Sequence, residues 1–260
     1  MSKFQVTSPI RSCSQLTPDI IRVSLLAPTI ARAARPGQFV MVAAGSSRDP
    51  LLRRPFSIHN VTADGEVVLL YKIVGQGTRL LAQLRVGQSI DLVGPLGKGF
   101  SLSPDTPACL VGGGMGIAPL LFLAKALCSS PRPQEHAILL GARTRDELAP
   151  LVEDFRELGY PVHAATDDGS YGHHGFVTEL FQEHSTPAHE VCVCGPTPLM
   201  AAIARQCLQA GNRCQASLET HMACGLGACL GCTIQAQGGG YKHVCKHGPV
   251  FDANEVLWTI

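Results

Sequence analysis

Near its C-terminus the chain reads Cys224-Gly225-Leu226-Gly227-Ala228-Cys229-Leu230-Gly231-Cys232, and Cys245 follows after twelve intervening residues. This C-x4-C-x2-C-x12-C spacing constrains the chain more than any other feature. It is the plant-type spacing for a [2Fe–2S] cluster. Three thiolates have to converge from one tight loop, and Gly225, Gly227 and Gly231 let the backbone wrap closely and aim amide N–H groups at sulfur. Cys245 then closes the cage from a returning strand. Two other readings stand beside this one. Zinc sites use paired C-x2–4-C knuckles, whereas here the second half supplies one cysteine. The thiols can also be structural. Whichever holds, residues 215–260 lack the length and periodicity to bury a core alone, so something must staple them.

The rest of the composition narrows the class. The chain has 260 residues, enough for one large or two ordinary domains. Hydrophobic residues at 45% and charged residues at 16% exclude a disordered chain. Lys+Arg 21 against Asp+Glu 20 leaves +1, which argues against nucleic acid as a partner, because such binding is largely phosphate neutralisation. Eleven cysteines, an odd number, make a poor disulfide framework. Met1 to Thr7 has no apolar run of the secretory kind, so a cytoplasmic chain with reduced thiols is expected. The uncharged stretch from Ala108 to Ala124 contains Gly112, Gly113, Gly114, Gly116 and Pro119 and reads as strand, glycine loop and helix, not as a membrane span.

Residues 1–101 predict an antiparallel β-barrel domain. Strands are expected at Ile20–Leu26, Gln38–Ala43, Glu66–Val74 and Ser89–Val93, with one helix at Thr78–Arg85. Residues 102–214 predict an open parallel α/β domain. Short apolar runs at Cys109–Val111, Ala137–Leu140, Val162–Ala165 and Glu190–Cys194 alternate with helical patterns at Leu120–Ser129, Glu147–Leu158, Phe176–Glu183 and Pro198–Ala210. Ser103 to Pro107 reads as the linker. Residues 215–260 form the small C-terminal segment that carries the cluster cysteines.

Three further motifs bear chemistry. In Arg53-Arg54-Pro55-Phe56-Ser57, an arginine reaches a pyrophosphate, Phe56 packs on an isoalloxazine ring, Ser57 bonds a flavin heteroatom, and Pro55 fixes φ. A solvated arginine pair on an edge strand explains the same residues equally well. Gly77-Thr78 ends a glycine turn at a helix start, a natural phosphate seat. Gly112-Gly113-Gly114-Met115-Gly116 follows a strand and opens a helix. It departs from the G-x-G-x-x-G spelling but offers the same open backbone and helix N-terminus to a pyrophosphate. Cys194-Gly195-Pro196 ends the last apolar run, where open sheets bind ligands, although Cys194 taken alone reads as a buried thiol. Arg143 and Arg145 suit either a 2′-phosphate or a solvated helix start, so NAD and NADP are not separated here. Asp167–Gly172 is a loop with no assigned role.

Arg54-Pro55-Phe56-Ser57, Gly77-Thr78, Gly112–Pro119 and Cys194-Gly195-Pro196 together resemble the ferredoxin–NADP reductase superfamily. That resemblance implies an FAD-binding barrel followed by a pyridine-nucleotide domain, FAD contacts at Leu70, Tyr71 and Lys72, and Cys194 near the nicotinamide–flavin contact. Glu219-Thr220-His221-Met222-Ala223-Cys224 through Cys232, with Val244-Cys245-Lys246-His247-Gly248-Pro249-Val250-Phe251, resembles the electron-transfer subunits of dihydroorotate dehydrogenase B, with His247 at a position where that family carries an acidic residue. The resemblance covers essentially the whole chain. It implies an FMN-containing catalytic subunit as partner, a heterotetramer of two of each chain, and electrons running from FMN through the cluster and FAD to NAD⁺. The residues agree with a converter: NAD exchanges two electrons as hydride, an iron–sulfur centre passes one, and FAD does both. A reductase subunit serving ferredoxin, sulfur or hydrogenase chemistry has the same architecture and remains the alternative.

Overall fold

A computed structural model describes residues 2–45, 49–103 and 105–258. Pro104, within the expected linker, and Met1 lie outside the described residues. The first domain contains β1 (Phe4–Gln15), β2 (Ile20–Leu26), α1 (Pro28–Ala33), β3 (Phe39–Val42), β4 (Arg54–Val61), β5 (Glu66–Lys72), α2 (Gln76–Ala82) and β6 (Ser89–Leu96). Its six strands close into an antiparallel barrel in the order β1-β2-β5-β4-β3-β6. Ile10, Val23, Leu25, Val40, Val42, Ile58, Leu69 and Leu92 fill the interior. β1 carries only a sparse alternation, Phe4, Val6 and Ile10, interrupted by Ser8 and Pro9. It is held by ladders to both β2 and β6, and Ser8 and Ile10 are its buried residues. A second helix, α1, joins the one expected helix; it starts on Pro28 and buries Ile30 and Ala31.

The second domain comprises β7 (Ala108–Gly113), α3 (Ala118–Leu127), β8 (Ala137–Ala142), α4 (Arg145–Arg156), β9 (Val162–Thr166), β10 (His173–His174), α5 (Val177–His184), β11 (Glu190–Cys194), α6 (Thr197–Ala210) and β12 (Cys214–Ser217). The last segment adds β13 (Thr233–Gln235), β14 (Tyr241–His243), α7 (Val244–His247) and β15 (Val250–Asp252). One seven-stranded sheet runs β10-β9-β8-β7-β11-β12-β15, parallel except for β15. Leu120, Leu123, Leu148, Val152 and Phe155 of α3 and α4 pack in one core cluster; Leu180, Phe181, Met200 and Ile203 of α5 and α6 pack in another. Because β8 and β9 lie on one side of β7 and β11 and β12 on the other, the strand order reverses between β7 and β11. Ligands of open α/β sheets bind at that switch point, outside the carboxyl ends of the strands.

The boundary drawn at residue 215 falls inside β12, and the C-terminal segment returns β15 to the edge of the same sheet. The physical reason is the missing core of so short a segment: it borrows apolar surface from both domains. Cys232, Val244, Cys245 and Phe251 share one cluster with Phe39, Met41 and Leu96 of the barrel and with Val193 and Ala216 of the sheet.

Candidate functional site

The cluster loop is built from backbone that ordinary side chains avoid. Gly225 has φ 68°, Gly227 has φ 83°, and Leu230, at φ 59°, is the one non-glycine residue with positive φ among the described residues. This winding turns amides inward. The N–H groups of Leu226 and Cys229 donate to Cys224 Sγ at 3.3 and 3.4 Å, and Cys245 N–H donates to Cys232 Sγ at 3.4 Å. Burial opposes a charge on Cys224, but the amides of Cys229, Leu226 and Ala228 outweigh it and lower the thiol to about 6. Cys245 moves the other way, to about 12, first by burial and then by the neighbouring Cys232. Cys229 neighbours Cys224, and Cys245 lies near both Cys232 and Cys224, so the four thiols gather in one place. Among the described residues no group of three His, Cys, Asp or Glu side chains converges as a single ion requires. Amides aimed at Cys224 and Cys232, in a loop of plant-type spacing, suit a two-iron centre better than a mononuclear zinc knuckle.

This loop rests directly on the barrel. A Cβ on Gly225 would lie 2.5 Å from Met41 Cγ, so the loop touches β3 at closest approach. In the ladder, Met41 is opposite Pro55 and Phe39 is opposite Ser57. Pro55 and Ser57 therefore share the barrel face that carries the cluster loop, while Arg54 and Phe56 project from the other face of β4. The Phe56 ring lies 5.1 Å from that of Tyr71, and both line a small apolar cavity in the barrel with Val42 and Leu69. Arg54 covers the start of α2: a Cβ on Gly77 would lie 2.6 Å from its Nε. The Thr78 hydroxyl accepts from the N–H groups of Val74 and Gly75, which fixes the turn. Leu70 packs with Ile117 of the glycine loop. The Lys72 ammonium is committed across the domains, 2.6 Å from Glu147 and 3.1 Å from Asp19.

At the switch point the two glycine turns interlock. Gly112 is paired with Cys194, and a Cβ on Gly116 would lie 2.4 Å from the Cys194 carbonyl and the Gly195 nitrogen. Gly113 is equally tight against Leu199, whereas Gly114, at φ 53°, faces open space. Pro196 precedes α6 as its N-cap residue. Cys194 is fully buried; burial, and then the charge of Glu219, raise its thiol far above the ordinary range, so at neutral pH it is a neutral thiol. Glu219 opens onto solvent on one side yet is crowded by protein on the others, and this desolvation raises its carboxyl. Sequence reasoning gave Glu219 no role. Its only sequence signal was its position ahead of the cluster motif. Arg143 and Arg145 are both exposed beside the Asp167–Ser170 loop, with Arg145 N–H donating to Ser170 Oγ.

A flavin barrel, a doubly wound nucleotide domain and a cysteine loop wedged between them define an iron–sulfur flavoprotein oxidoreductase. Family comparison agrees segment by segment: an oxidoreductase FAD-binding domain matches residues 8–100, an oxidoreductase NAD-binding domain residues 110–205, and the iron–sulfur cluster binding domain of dihydroorotate dehydrogenase B residues 219–257. The chain belongs to the family of dihydroorotate dehydrogenase B electron-transfer subunits. It is 39% identical to the NAD(+) enzyme's electron transfer subunit from Desulforamulus reducens, with 94% of each chain covered, and 42% identical to that from Geobacillus kaustophilus, over 86% of this chain and 87% of the relative. Among solved structures, a chain of an NADH-dependent reduced ferredoxin–NADP oxidoreductase superposes with a TM-score of 0.85 at 30% identity, covering 97% of this chain and 90% of that one. The chain carries FAD-binding, NAD-binding and iron–sulfur-binding domains. No helix among the described residues is long and apolar enough to cross a membrane.

Proposed function

We propose that this chain receives electrons from the FMN of a dihydroorotate-oxidising catalytic subunit and delivers them through a [2Fe–2S] cluster and FAD to NAD⁺, in the cytoplasmic synthesis of orotate for pyrimidines. One observation carries the reading: the cluster loop lies against β3, the strand paired with the Arg54–Ser57 strand, so the cluster ligands and the flavin motif are one strand apart. Cys224, Cys229, Cys232 and Cys245 would hold the two irons of the cluster. The amides on Cys224 and Cys232 stabilise thiolate ligands. When bound, FAD exchanges hydride with nicotinamide and single electrons with the cluster.

Each remaining residue has a binding or shaping role. Arg54 and the Gly77-Thr78 turn hold the FAD pyrophosphate. Ser57, on the cluster side of β4, bonds the flavin ring system, and Pro55 sets that strand's path. Phe56 and Tyr71 support the flavin from the barrel wall, and Leu70 backs it toward the glycine loop. Lys72 contributes backbone, because its ammonium is engaged by Glu147. Gly112, Gly113, Gly114 and Gly116 admit the NAD pyrophosphate, and Gly195 and Pro196 shape the nicotinamide side. Cys194, a neutral thiol, packs against the nicotinamide–flavin contact and takes no proton. Leu226 and Leu230 are exposed on the cluster loop, 47% and 52%, and offer an apolar approach for the partner of a heterotetramer.

The likeness to a ferredoxin-linked oxidoreductase chain favours the alternative, a reductase subunit of other electron-transfer chemistry. Reconstitution separates the two. Mixed with a dihydroorotate-oxidising flavoprotein, this chain is expected to yield dihydroorotate-dependent NAD⁺ reduction. No such activity, together with NADH-dependent reduction of ferredoxin, would favour the alternative.

A further inference from the structure

Beneath the flavin strand lies a buried polar joint that neither redox site uses. His59, on β4 two residues beyond Ser57, is 1% exposed. Its Nδ1 is 2.8 Å from the carbonyl oxygen of Ala118, the first residue of α3 and the second after Gly116. A carbonyl only accepts, so Nδ1 carries the proton. Nε2 faces the Asp154 carboxylate of α4 at 3.8 Å and has no hydrogen-bond partner of its own. Asp154 is paired with Arg22 of β2, and Lys125 of α3 donates to the Val61 carbonyl of β4 at 2.8 Å. A crevice of about 210 Å³ opens beside these groups, lined also by Asn60, Leu121 and Glu157. His59 Nε2 and Arg22 Nε are themselves sealed from solvent, which marks a joint and not a ligand cavity.

We infer that His59 is a positioning residue for dinucleotide binding: its Nδ1–H fixes the first turn of α3, and hence the Gly114–Ile117 turn, relative to the flavin strand. Ile117 is seated in the core and Gly116 abuts Cys194, but Gly114 stands in open space and its placement needs a further restraint. A buried N–H bond to the helix that follows supplies that restraint from the strand carrying Ser57. Losing a buried bond of this kind changes an equilibrium by roughly a factor of ten. The effect falls on NADH affinity and leaves flavin content alone, because the FAD-motif residues lie on the barrel side of the joint.

This inference rests on reading the β7–α3 turn as the dinucleotide site. The test uses the purified flavin-loaded chain with ferricyanide as electron acceptor. His59→Asn keeps an N–H donor where Nδ1 stands; His59→Gln moves it to the Nε2 position; His59→Phe keeps a ring without a donor. His59→Asn is expected to stay within about twofold of the parent in KM for NADH. His59→Gln and His59→Phe are expected to raise that KM about tenfold at unchanged FAD content and little-changed kcat. If His59→Phe does not fold, the Asn–Gln contrast alone decides. Equal KM values for the Asn and Gln variants, or a loss that appears in FAD content, would overturn the role. A Gly116→Val control separates this failure from that of the site itself: if NADH binding survives Gly116→Val, the turn is not the dinucleotide site.

Discussion

The cluster loop and the dinucleotide crevice grip redox groups in opposite ways. The loop carries three of its four ligands within nine residues and holds its sulfurs with its own amides. The crevice is made by two turns from strands some eighty residues apart, and its shape depends on glycines that leave space between them. A self-contained loop fails by losing a ligand. A crevice assembled from a distance fails by filling, or by the drift of its walls.

The largest effect breaks the loop alone. Cys224→Ser is expected to abolish the cluster, measured as loss of iron, labile sulfide and the visible charge-transfer bands, while FAD remains bound. Loss of both groups together would show that the two regions are not independent. Next is the crevice. The Cβ of Gly116→Val would stand 2.4 Å from the Cys194 carbonyl, where backbone cannot yield cheaply. The expected outcome is about a hundredfold rise in KM for NADH, equivalent to about 2.7 kcal/mol, with the cluster intact. Arg54→Ala removes the guanidinium over the α2 turn and is expected to weaken FAD about tenfold in an apoprotein titration. Unchanged retention would take Arg54 out of the site.

The smallest effect concerns the brace between domains. Lys72→Met breaks the pair with Glu147. Both side chains are about one-quarter exposed, so the expected loss is about 0.5–1 kcal/mol, a few degrees or less in Tm. The pH dependence follows from signs. The hydrogen bond that Lys72 donates to Glu147, and further that to Asp19, raise the Lys72 pKa above its ordinary 10.5 against the pull of burial. A raised folded-state value gives stability that is complete below 10.5 and is lost as pH climbs through the folded-state value. The deficit of the variant is therefore expected to be constant from neutral pH to about 9 and to vanish in strong alkali. Thermal unfolding across that range checks it.

The same contrast explains what could be read from the sequence. The cluster ligands were legible because their geometry is local: spacing and glycines appear in a single line. The strand–helix alternation of the second domain was legible for the same reason, since each buried run is short, apolar and bounded. β1 was not, because its alternating Phe4, Val6 and Ile10 are interrupted by Ser8 and Pro9, and much of its support comes from ladders on both edges. β15 could not be assigned to the nucleotide sheet from three residues, as only the docked fold supplies its partner. Lys72 shows the limit within the site itself. The motif names the residue, but its ion pair lies seventy-five positions away. His59 carries no motif at all and is found only where β4 meets α3.

The central claim is that the two regions exchange electrons within one chain. Anaerobic stopped-flow mixing of the oxidised protein with excess NADH tests it most directly. The account predicts that the flavin is reduced first and that the cluster absorbance then bleaches as the flavin passes on one of its two electrons, and that in Cys224→Ser the flavin alone is reduced. Flavin reduction beside a cluster that stays oxidised would contradict it.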